Sequence, residues 1–147
     1  MVDPLSVTVN VLAILQTCTY TIQTIDHLYK RYKNAPTKLL ALQSESRLIS
    51  SSLITVQALF HKNNSLAAKL DSRPELRTTV DTTLTGCMAI FKLLDKDLQR
   101  LTVPAGDRVD WRRRSNLLFN DDIIDNYLNQ IRGHLHGLNL LLNCLQL

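Results

Sequence analysis

Glycine and proline are scarce in this chain of 147 residues, with four of each, and no glycine precedes Gly86. Without frequent turn-formers a sheet of many short strands is excluded, and long uninterrupted helices are favoured. Aromatics make up 5% of the chain, and Leu and Ile dominate its apolar set. Cysteine is limited to Cys18, Cys87 and Cys144, an odd number far apart in sequence. That excludes a disulfide framework and predicts three reduced core residues, each on an apolar helical repeat. No charged side chain occurs between Pro4 and Ile25. The start lacks the basic region of a secretory signal, and Val2 excludes myristoylation.

The net charge of +4 arises from local clusters at Lys30 to Lys33 and Arg112 to Arg114. A basic stripe along one element is missing, so nucleic acid is not expected as a partner. A domain of this length buries roughly 70% of its unfolded surface, enough for a core without cofactors.

Four helical segments fill the chain. Asp3 and Pro4 supply an N-cap and a first-turn proline, and Val7, Val11, Ile14, Cys18, Ile22, Ile25, Leu28 and Tyr32 recur every three or four residues. This predicts a helix from about Pro4 to Lys33, ending before Pro36. A second runs from Pro36 to about His61 on a seam of Leu39, Leu42, Ile49, Leu53, Val56 and Phe60, with Ser46 in the remaining seam position. A short turn is expected over Leu66 to Leu70. Ser72, Pro74 and Glu75 read as a capping box that opens a third helix, with its seam at Leu76, Val80, Leu84, Cys87, Phe91, Leu94, Leu98 and Leu101. Thr102 to Phe119, with Pro104, Gly106 and Trp111, reads as a structured loop. Asn120 caps the last helix, whose stripe is Ile124, Leu128, Ile131, Leu135, Leu138, Leu142 and Leu145. The expectation is an all-α, antiparallel up-down-up-down bundle of four long helices with short extra turns, one domain over 1–147. The chain is still apolar at Leu147, which predicts a piece cut from a longer protein.

Candidate chemistry is sparse. His134 and His136 point about 200° apart on a helix, the wrong geometry for a shared metal, and are read as surface histidines. A phosphate-binding glycine loop is missing, and no Cys-His or Ser-His pairing is supported, so no catalytic, cofactor or metal residue is assigned. Gly133 and Gly137 are read as permitting close packing of the last helix on a neighbour. The first helix is the informative element. It has nearly the length of a membrane span, yet Asn10, Gln16, Gln23 and several threonines make it too polar for an ordinary anchor. Ser6, Asn10, Ala13, Thr17, Tyr20 and Thr24 form one charge-free stripe, which either lies under another element or an oligomer contact, or permits transfer into lipid.

The opening Val2-Asp3-Pro4-Leu5-Ser6-Val7 followed by a long uncharged helix resembles the N-terminal signature of fungal HeLo and HeLo-like domains. Trp111-Arg112-Arg113-Arg114, Asn120 to Tyr127 and Leu138-Asn139-Leu140-Leu141 extend that resemblance over nearly the whole chain. The resemblance implies an N-terminal signalling or execution domain of a NOD-like receptor or related protein of regulated cell death and heterokaryon incompatibility, a part of fungal innate immunity. It further implies self-association on activation, a receptor or effector region following in the full-length protein, and a cytoplasmic resting state that relocates to the plasma membrane. Carried onto this chain, Leu5, Val7, Val9, Val11, Leu12, Ile14 and Leu15 would insert in the membrane. Lys30, Arg31, Lys33, Arg112, Arg113 and Arg114 would meet anionic lipid headgroups. The alternative within the same resemblance is a non-lytic homotypic adaptor.

Overall fold

The structure, a computed structural model, describes residues 4–32, 37–62, 65–102 and 120–146; the side chains of 4–9, 67 and 146 fall outside that description. Five helices account for nearly all of it: α1 (Pro4–Arg31), α2 (Lys38–Lys62), α3 (Ser65–Ser72), α4 (Pro74–Thr102) and α5 (Asp121–Gln146). The expected all-α bundle of four long helices is what forms, with α3 as the short extra element.

α1 packs on α2 and α4, and α5 packs on the same two helices, so the ring runs α1, α2, α5, α4. Asn10 and Ile14 share a cleft with residues 81–92 of α4, and one turn further along α1 Thr17 contacts Met88 in the second half of that stretch. α1 and α4 are therefore parallel neighbours. α5 runs against α4, because Tyr127 near its start bonds Asp97 near the end of α4, while His134 lies against Gly86. The alternation of direction matches the sequence expectation. The ring order requires α2 to reach α4 across a diagonal, and the eight residues of α3, about 12 Å of helix, bridge that gap.

Each long helix keeps one face dry. On α1 the buried positions are Val11, Ile14, Cys18, Thr21, Ile25 and Leu28, and on α4 they include Val80, Leu84, Cys87, Phe91, Leu94 and Leu98. The two rows alternate in spacings of three and four and advance in step, as knobs-into-holes packing requires. Each fully buried Leu or Ile contributes about 2 kcal/mol relative to an exposed one. α2 buries its expected seam with Ser46 in register, its hydroxyl donating to Leu42 O, and Gln43 joins it by donating from Nε2 to Ile22 O.

Local signals differ in how they are realised. Asn120 caps α5 as expected, its Oδ1 accepting from Ile123 N at 2.9 Å, with Asp121 and Asp122 at the positive end of the helix. Ser72 caps nothing on α4. It is the last residue of α3, its hydroxyl donates back to Lys69 O, and the first α4 bond runs from Arg77 N to Arg73 O. The close helix approach is made by Gly86, where an added Cβ would stand 2.5 Å from the His134 ring. Gly133 has nothing nearby and Gly137 meets Thr83 only at ordinary contact distance.

Candidate functional site on the first helix

The outward face of α1 is formed by Leu12, Gln16, Thr19, Tyr20 and Gln23, with Leu12 44% and Tyr20 63% exposed. This row carries no charge. The first charges on the helix are Asp26 and Lys30, which pair with each other at 2.9 Å, and Arg31, which lies over the Tyr32 ring. A solvated helix face ordinarily carries Lys, Glu or Arg.

The expected membrane-inserting set does not share one face. Val11 and Ile14 are sealed in the core, Leu15 is partly buried against it, and Leu12 points outward. Leu5, Val7 and Val9 lie on the first turns of α1, with side chains outside the described residues. Of the expected headgroup contacts, Lys30 and Arg31 are exposed, whereas Lys33 and Arg112 to Arg114 lie outside the described residues, as does Trp111.

The charge-free stripe borders α4. Asn10 is exposed at its rim, Ala13, Thr17 and Thr24 are half-buried, and Tyr20 joins the outward row. Thr17 donates its hydroxyl to Ala13 O and also contacts Met88 Sδ at 3.9 Å. Beside the stripe lies a cleft of about 420 Å³ between α1 and α4, with Ile14, Leu84, Met88 and Ala89 as apolar lining. Asn10, Asp81, Thr85 and Lys92 supply its polar groups.

Beneath this face the α1 core row is imperfect. Thr21 is completely buried and its hydroxyl has no hydrogen-bond partner. Cys18 and Cys87 are both fully buried at matching positions of the two rows, and burial pushes each thiol up to about 12. They are inert core thiols, as expected, but Cys144 is exposed on α5.

The opposite seam is built differently. Lys38 Nζ bonds Asp125 at 2.9 Å, Glu45 bonds Arg132 Nε at 2.9 Å, and Ser52 donates to Asn139 Oδ1 at 3.3 Å. Every rung joins residues 87 apart, and successive rungs are one heptad apart. α2 and α5 are thus parallel and in register. The Asp125 carboxylate raises the Lys38 pKa through its hydrogen bond. Among the described residues, the α2–α5 seam is thus zipped by polar pairs while the outward face of α1 is without charge. Helical periodicity exposed the second feature; the first is legible only once the complementary residues are compared at a common offset.

His134 is half-buried against Gly86, and desolvation lowers its pKa; His136 is exposed as expected. Tyr127 donates to the Asp97 carboxylate, and burial with that bond raises the phenol's pKa. Among the described residues no three His, Cys, Asp or Glu side chains group to hold a metal, and no helix is long and apolar enough to cross a membrane. Comparison with protein-family models, with curated proteins and with solved structures returns no match.

Proposed function

We propose that this chain is an N-terminal signalling or execution domain of a regulated cell-death protein, self-associating on activation and acting on anionic membrane through α1. The observation that carries the reading is the uncharged outward row Leu12, Gln16, Thr19, Tyr20 and Gln23, which ends at Lys30 and Arg31. Such a row approaches a lipid interface without desolvating an ion, while cations at its end attract anionic headgroups at about 1 kcal/mol each.

Burial of Val11 and Ile14 in the core means that deep insertion requires α1 to leave its seat. Its length and polarity favour action as an assembly, in which amide and hydroxyl groups bond between copies.

Dye release from anionic vesicles tests the reading. Wild-type protein should release dye, and Leu12→Glu should abolish release while leaving helicity unchanged, because Leu12 faces outward. Vesicles left intact by assembled wild-type protein would exclude execution. The homotypic adaptor reading would then stand, favoured by the exposed amides of Gln16 and Gln23 on the same face.

A further inference from the structure

The α1–α4 cleft has a pattern that the membrane reading does not use. Its α4 edge carries two charges, Asp81 and Lys92, opposite in sign and separated by three turns, about 16 Å. Both are exposed, and neither forms an ion pair among the described residues. The midpoint between them falls between Gly86 and Cys87. On the α1 edge the stripe runs Asn10, Ala13, Thr17, Tyr20, and its midpoint falls at Leu15. The contact of Thr17 with Met88 sets the register of the two helices and places Leu15 level with Gly86. Both edges therefore share one centre.

A two-fold axis through that centre, perpendicular to the helices and in the plane of the face, lays each helix antiparallel on its own copy. It brings Asp81 opposite Lys92, Asn10 opposite Tyr20, Ala13 opposite Thr17, and Thr85 opposite the Met88–Ala89 pair. An isologous contact needs this self-complementarity, in which each residue meets a different one that suits it. We propose that a second copy of this chain docks across the α1–α4 cleft in this antiparallel arrangement, with two identical Asp81–Lys92 pairs at its edges.

Arg77 and Lys96, one turn outside the two charges, would meet with like sign, which limits the overlap to about the turns between residues 81 and 92. Two helices about 20 Å wide over that length bury roughly 650 Å² in total, at the low end of weak, transient association. The inference rests on the self-association part of the proposed function and is independent of membrane action. Leu12, turned about 160° from Asn10 on the α1 wheel, lies outside the contact.

Sedimentation of the full chain from micromolar to millimolar concentration, at low and high salt, tests it. Wild-type protein should show a monomer–dimer equilibrium that weakens with salt. Asp81→Lys or Lys92→Asp alone should raise the dissociation constant roughly tenfold or more, because each dimer then has two like-charged pairs. The double reversal Asp81→Lys with Lys92→Asp should restore it to within about threefold. Circular dichroism of each variant confirms that these exposed substitutions leave the bundle folded. A protein that stays monomeric throughout overturns the proposal, as does a dimer indifferent to the single reversals or not recovered by the double. An indifferent dimer leaves self-association intact on another surface, and vesicle release by wild-type protein and Leu12→Glu is read separately.

Discussion

Replacing Thr21 with valine removes the one fully buried hydroxyl among the described side chains of α1 and should stabilise the protein. Five other helical threonines, Thr17, Thr19, Thr55, Thr78 and Thr79, donate to the carbonyl four residues back. Thr21 is fully buried and its hydroxyl has no partner. An unsatisfied buried hydroxyl costs about 1–3 kcal/mol, and valine has the same shape and nearly the same helix propensity. The expected gain is about 1–2 kcal/mol, which for a domain of this size raises Tm by roughly 3–8 °C. Thermal unfolding followed by circular dichroism reads the shift. Thr17→Val is the control, since it deletes a hydroxyl that is bonded, and it should leave Tm unchanged or lower it. A Thr21→Val protein no more stable than wild type would refute the reasoning. Should α1 have to leave its seat to act, the same variant should also slow dye release from vesicles, because a deeper resting state makes departure less frequent.

Two further outcomes follow from buried titratable groups. In the native protein a thiol reagent should modify Cys144 rapidly while Cys18 and Cys87, with thiols pushed up to about 12, react only on unfolding; more than one fast thiol would contradict the packing of α1 on α4. Desolvation lowers His134 below its ordinary value of 6.5, so between the two values the unfolded chain binds the extra proton and stability should fall as pH drops through 6.5. The difference in denaturant stability between wild type and His134→Gln should vary with pH in that window, and a constant difference would remove His134 as the cause.

Much of the fold was legible because the apolar period is so regular. The α2 seam lies where the spacing put it, as does the α4 seam from Val80 to Leu101, with Leu76 only partly buried and Ile90 added, and Asn120 caps α5 through a bond that depends only on local geometry. Periodicity failed where two neighbouring residues were both compatible with the face. It assigned Ile22 to the core, yet Thr21 is buried and Ile22 is half-buried, because the buried row keeps its strict alternation of three and four from Val11 through Cys18 to Ile25. Cys144 sits on the apolar period near the end of α5, but is exposed there. Ser72 satisfies a capping pattern, yet α3 continues through it, so its hydroxyl finds a carbonyl already present. Ring order was beyond the period altogether, since heptads mark which face is buried and not which neighbour covers it. For the same reason the wheel found the uncharged stripe but not Asp81 and Lys92, which belong to another helix.

The ladder between α2 and α5 has a consequence for how kinship to this chain would be recognised. Lys38, Glu45 and Ser52 meet Asp125, Arg132 and Asn139 at one common spacing. Lengthening the connection before α5 changes that spacing equally for all three pairs, whereas a residue gained inside either helix shifts some pairs and not others. A distant cousin with different loops would therefore retain equal offsets rather than any particular offset. Three complementary pairs, a heptad apart on each side and locked to one another, form a fingerprint that survives loop variation which overall sequence similarity does not.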